Sequence, residues 1–154
     1  MTARDDTTPA ERVRELLERV NDALELEAEV EVAEESGQIR GVLRGEDMGL
    51  FIGRHGQTID AVQHLAFKVA AHGQSPAPKV EVDAAGYRER RREMLERLAV
   101  RSAERARSGG ERVELEAMSA VERKVVHLRL KEFEGVETSS EGTEPNRYVV
   151  ISPT

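Results

Sequence analysis

The 154-residue sequence predicts an α+β protein of two small modules. Residues 8–83 read as helix, strand, strand, short helix, helix, strand, and residues 84–154 as helix, strand, helix, strand, strand. Three observations carry this. The apolar residues switch repeatedly between helical spacing and strict alternation. Two Ser/Thr-x-x-Glu signatures, Thr8 to Glu11 and Ser119 to Glu122, read as capping boxes that open helices. Glycine pairs and lone glycines then mark where elements stop.

Taken in order, Thr8-Pro9-Ala10-Glu11 combines a capping box with proline at the first helical position, and Val13, Leu16, Leu17, Val20 and Leu24 recur at helical spacing. Helix one spans about residues 9–24. Ala28, Val30 and Val32 alternate with Glu27, Glu29 and Glu31, Ser36-Gly37 turns the chain, and Ile39–Leu43 returns, which makes a hairpin with one wet face. Met48–Ile52 is short enough to be a single helical turn or two. Ile59, Val62, Leu65, Ala66 and Val69 mark an amphipathic helix closed by Gly73, and Lys79–Asp83 is a third strand.

In the second module Asp83 caps a long helix running to about Ser108, with Tyr87, Arg91, Met94, Leu95, Leu98, Ser102 and Ala106 on its core stripe. Gly109-Gly110 stops it. Val113–Leu115 is a short strand, and the second capping box starts a helix to about Lys131. Val136–Ser140 and Arg147–Ile151 are strands around a loop from Gly142 to Pro145.

The stretch richest in functional information is Leu50-Phe51-Ile52-Gly53-Arg54-His55-Gly56, an apolar run into Gly-x-x-Gly with a helix opening at Gln57. Glycines at 53 and 56 reach dihedrals closed to other residues and leave no Cβ in the way of an approaching backbone. Arg54 and His55 set one fixed and one titratable cation beside a helix N-terminus, which suits a phosphate chain. An ordinary tight turn would read the same way if these residues stood alone.

With the elements around it, the loop resembles that of the type II KH domain (αββααβ), a single-stranded nucleic-acid-binding module. That resemblance implies that Gly53, Arg54, His55 and Gly56 clamp a sugar–phosphate backbone and that Ile52 is the apolar residue leading into the clamp. Ile59 and Val62 either line the adjoining groove or fill the core. The second half, αβαββ with Arg123 and His127 four residues apart on one helix, resembles the R-three-H domain, named for that pair. Such spacing puts both side chains on one helical face, able to address one anionic group.

The two modules in this order are similar to the bacterial Jag, or SpoIIIJ-associated, family over about Thr8 to Pro153. The motifs are Gly86-Tyr87-Arg88-Glu89-Arg90-Arg91, Met118-Ser119-Ala120, Ser140-Glu141-Gly142 and Pro145-Asn146-Arg147. The resemblance implies a post-transcriptional regulator of cell elongation and division, or of sporulation. It also implies single-stranded RNA or DNA as ligand and pairing with a separate small KH protein. Many members carry a further N-terminal domain, for which the seven residues before the first capping box leave no room here.

Composition bounds these expectations. Without cysteine there are neither disulfides nor thiolate metal sites, which fits a reducing cytoplasm. No apolar run is long enough to cross a bilayer, and Met1–Asp6 lacks the apolar core of a signal peptide, so a cytoplasmic protein without membrane insertion is expected. The net charge of −7 repels phosphate at long range, but residues 1–47 hold 6 Arg against 14 Asp plus Glu, leaving 17 basic and 16 acidic residues in 48–154. From Ala84 to Ser108 there are 8 Arg against 4 Glu, and Arg88, Arg92 and Arg105, with Arg147 near the end, are candidates for further contacts or for a solvated face of intrahelical pairs.

The five aromatic residues, Phe51, Phe67, Tyr87, Phe133 and Tyr148, are too few to build a stacking platform and two cores, which favours a KH groove over aromatic readers of bases. An enzyme is not expected. His55, His64, His72 and His127 lack metal-ligand spacing, and Gly49, Gly53 and Gly56 lead to Gln57-Thr58 without the lysine of a nucleotide-hydrolysing loop. No cofactor is expected. The competing expectation is a protein-interaction adaptor with weak nucleic-acid binding, using the acidic face of residues 11–35.

Overall fold

The computed structural model describes residues 7–154, so the reading of Met1–Asp6 lies outside the described residues. The chain divides after Arg88 into two compact units. In the first, α1 (Pro9–Ala23) opens on the expected capping box: Thr8 Oγ1 accepts from the Glu11 amide at 3.2 Å, and Glu11 Oε2 accepts from the Thr8 amide at 2.7 Å. Strands β1 (Glu29–Glu35) and β2 (Gln38–Arg44) form an antiparallel hairpin through Ser36 and Gly37, both at positive φ as a two-residue turn requires. The turn α2 (Gly49–Ile52), the 3-10 turn Arg54–Gly56 and α3 (Gln57–Ala71) follow, and β3 (Lys79–Ala84) returns parallel to β2 in the order β1-β2-β3.

Both helices bury their apolar stripes on this sheet. Val13 and Leu17 of α1, Ile39 and Leu43 of β2, Phe51, and Ile59, Val62 and Ala66 of α3 form one cluster. Gly41 in β2 lets α1 settle, since a Cβ there would come within 2.5 Å of Leu17 Cδ1. Ile59 and Val62 are therefore core residues, which closes the alternative of a groove lining. Leu65 is a correction in the other direction: it is 51 % exposed, because the buried stripe runs Ile59, Val62, Ala66, Ala70 and passes it by.

The second unit begins within α4 (Tyr87–Gly109). This helix starts later than Asp83 suggested, because Ala85 and Gly86 take left-handed φ values of 52° and 65°, through which no α-helix continues. Asp83 still acts from across that turn, accepting from the Ala84 and Arg88 amides at 2.9 and 3.2 Å. The core stripe of α4 is Leu95, Ala99, Ser102, Ala103 and Ala106, and Met94 is 43 % exposed. Strand β4 (Val113–Glu114), α5 (Ala120–Leu130), β5 (Val136–Glu141) and β6 (Tyr148–Pro153) complete the unit, with antiparallel strands in the order β4-β6-β5. Val126, Leu130, Val113, Val149 and Ile151 pack on the alanine face of α4. The second capping box is only half made. Ser119 Oγ accepts from the Glu122 amide at 3.3 Å, but the Glu122 carboxylate pairs instead with Arg91 at 2.7 Å.

Candidate nucleic-acid interface

The loop between α2 and α3 has a backbone that needs its two glycines. Gly53 sits at φ 74°, ψ 177°, a region essentially confined to glycine, and a Cβ there would lie 2.8 Å from Thr58 Cβ and 2.9 Å from its amide nitrogen. His55 follows in the left-handed region at φ 54°, ψ 26°, and Gly56 at φ 77°, ψ 15° caps α3. Gly56 is buried against a ring. A Cβ on it would come 2.5 Å from Tyr87 Oη and 2.8 Å from Tyr87 Cε1.

This geometry pushes Arg54 and His55 outward. Both side chains are exposed, and among the described residues neither has an ion pair or hydrogen bond. They stand at the start of a 15-residue helix, where amide groups and helix dipole favour an anion. Ile52, half-buried, leads into the loop, and Leu50, 61 % exposed, adds apolar surface on α2.

Two residues that sequence reasoning assigned elsewhere support the loop. Tyr87, expected on the core stripe of the long helix, packs on the first unit's core and sets the limit behind Gly56. Arg88, expected as an outward contact, is committed inward. Its Nε donates to Val82 O at 2.7 Å, one terminal nitrogen to Asp60 Oδ1 at 2.9 Å and the other to Gln63 Oε1 at 2.9 Å. The guanidinium ties α3 to β3 and neutralises the carboxylate in the first turn of α3. The signal that could have found both is the left-handed pair Ala85-Gly86, which reverses the chain so that the first residues of α4 meet α3.

Two of the other expected contacts are also spent within the fold. Arg92 pairs along its own helix with Glu89 and, at 2.6 Å, with Glu96. Arg147 donates to Gly142 O at 2.7 Å and Ser140 O at 3.3 Å, bracing the β5–β6 hairpin. Arg105 is exposed with no such bond among the described residues.

The Arg123 and His127 pair shares a face of α5, but that face turns inward. Arg123 is 8 % exposed, and it donates to Met118 O at 2.8 Å and to Glu144 Oε1 at 2.6 Å. The anion it addresses is part of its own fold. His127 Nδ1 lies 2.7 Å from Thr138 Oγ1 and its Nε2 lies 2.9 Å from Ser140 Oγ. Strand alternation explains this arrangement: Thr138 and Ser140 pair with Ile151 and Val149, so both hydroxyls point to the core face where α5 lies. Burial, and then the Arg123 charge, pushes the His127 pKa below its ordinary value.

Comparison with known proteins gives the family context. Residues 10–83 match the KH domain of KhpA/KhpB and residues 93–153 match the R-three-H domain. The chain is 37 % identical over 147 residues to the RNA-binding protein KhpB of Clostridium symbiosum, covering 94 % of this chain and 66 % of that protein. To RNA-binding protein KhpB of Bacillus subtilis it is 31 % identical over 146 residues, 94 % of this chain and 70 % of the relative. To that of Lactiplantibacillus plantarum it is 41 % identical over 104 residues, 68 % of this chain and 32 % of the relative. The chain thus spans only part of the length of the relatives it matches.

Proposed function

The chain belongs to the KhpB family, also called Jag, and on that premise we propose that it is a non-catalytic protein that binds single-stranded RNA through the loop Gly53–Gly56. One observation carries the reading. A loop whose dihedrals demand glycine leaves Arg54 and His55 exposed at the start of a long helix, without an ion pair or hydrogen bond among the described residues. A phosphodiester meeting that surface finds positive charge beside a helix N-terminus, and the fixed loop has little conformational entropy left to lose. Leu50 and Ile52 offer apolar contact for bases beside the clamp.

The pair Arg123 and His127 enters the proposal as a brace. Were it to grip RNA instead, Glu144, Thr138 and Ser140 would have to give up their bonds. The finer expectations belong to the same proposal: post-transcriptional control of elongation, division or sporulation, pairing with a separate small KH protein, and a cytoplasmic location. Among the described residues no helix is long and apolar enough to cross a membrane.

Replacing Arg54 and His55 together by Asp tests the clamp, because the glycines keep the loop's shape while two negative charges meet the phosphates. Binding to short single-stranded RNA should be lost with an unchanged circular dichroism spectrum. Retained affinity in a folded variant would refute the site and leave the adaptor reading as the better one.

A further inference from the structure

With Arg123 and His127 turned inward, the second unit still presents free cations in another place. A surface groove of about 430 Å³ runs between α4 and α5, lined by Glu93, Glu96, Arg97, Val100, Arg101 and Arg129. Arg97, Arg101 and Arg129 are exposed, and among the described residues none of the three has an ion pair or hydrogen bond. Of the two acids, Glu96 is already neutralised by Arg92 at 2.6 Å. The groove therefore holds a local excess of positive charge inside a chain whose total is −7.

We propose that this groove, built on Arg97, Arg101 and Arg129, is a second site for the phosphodiester backbone of single-stranded RNA. The inference rests on the RNA-binding reading and extends it to a surface that neither family motif marks. Arg97 and Arg101 are one helical turn apart, a rise of about 6 Å along α4, comparable to the step between successive phosphates of an extended strand. Arg129 reaches the same groove from α5. Guanidinium groups suit this ligand because their planar fork matches phosphate oxygens two at a time and they shed water more readily than an ammonium. The wall between the charges is aliphatic, Val100 and the arginine stems, so it supplies contact without selecting a base. The site should be indifferent to sequence and sensitive to salt.

The test uses the whole chain and a fluorescein-labelled single-stranded RNA of randomised sequence, with anisotropy titrations over a series of salt concentrations. Arg97→Gln/Arg101→Gln/Arg129→Gln should bind about tenfold more weakly at low salt, and its log–log salt slope should be shallower by about 2, three phosphates at roughly 0.7 each. Its melting temperature should match wild type, since among the described residues the three side chains have no ion pair or hydrogen bond to lose. A control with equal charge loss in the first unit, Arg19→Gln/Arg40→Gln/Arg44→Gln, should keep the wild-type slope. Equal weakening in the control would overturn the groove, because net charge alone would then explain the loss. A groove variant with wild-type affinity and slope, while Arg54→Asp/His55→Asp no longer binds, would overturn the groove and leave the loop reading standing. Wild-type chain that binds no RNA at any salt would take both readings down. Self-association that the groove variant abolishes, with RNA affinity untouched, would overturn the proposal in favour of an acidic protein surface as occupant.

Discussion

At the scale of single residues, the loop separates two costs that a glycine can spare. Gly56 avoids both a strained φ of 77° and a collision with the Tyr87 ring, whereas Gly73, at φ 71°, has open space around its missing Cβ. Gly73→Ala should therefore cost only the left-handed strain, about 1 kcal/mol, and Gly56→Ala roughly 1–3 kcal/mol more as the ring is displaced, both read by urea denaturation. RNA affinity should fall for Gly56→Ala alone. His127 supplies a pH test. Its folded pKa lies below the unfolded value, so the unfolded chain takes up the proton first, and the stability this group contributes is full above about pH 6.5 and lost as pH falls below it. The difference in melting temperature between wild type and His127→Asn should shrink as pH drops from 7.5 towards 5. A difference that widens on acidification would mean that the imidazole is stabilised in its charged form. Glycines 53 and 56 were legible in the sequence because their freedom is local. The inward bonds of Arg123 were not, because Glu144 lies 21 residues away and reaches it only through the β5–β6 hairpin.

At the scale of elements, what the chain spelled out is what periodicity can encode. Helices α1, α3 and α5 and strands β1, β2 and β3 were expected within a few residues of where they lie, since alternation and capping are written in neighbouring positions. The stripe of α4 was harder. Alanines at 99, 103 and 106 carry little hydrophobic signal, so Met94 drew the expected face away from them. The junction arginines divide by what surrounds them. Arg88→Met removes three side-chain donors that tie α3 to β3, and unit one should lose about 2–3 kcal/mol in chemical denaturation. Arg92→Met breaks only exposed, solvent-screened intrahelical pairs and should leave the denaturation midpoint close to that of wild type. Equal costs would show that the inward bonds of Arg88 do not hold the loop's supporting helix.

For the molecule as a whole, charge is the property that governs how RNA arrives. The excess of acid lies before residue 48, so no broad basic field steers a strand, and attachment depends on a handful of cations. Arg54 at the loop and three arginines in the α4–α5 groove would neutralise up to four phosphates, for a log–log salt slope on the order of −2 to −4. A slope near −8 would require a long electrostatic track that the unpaired cations named above do not provide. The modular order was legible from the two motifs together with their element order. Which cations remain free was not, because pairing is decided by side chains brought together only after folding.

The central claim is that an RNA backbone lies across Gly53–Gly56, and amide chemical-shift mapping reads that contact directly. Titrating the 15N-labelled chain with a single-stranded tetranucleotide should move the amide signals of Gly53, Arg54, His55, Gly56, Gln57 and Thr58 together along one saturable curve, with the core amides of β2 nearly still. Saturable binding that leaves those six signals in place and shifts others would contradict the account.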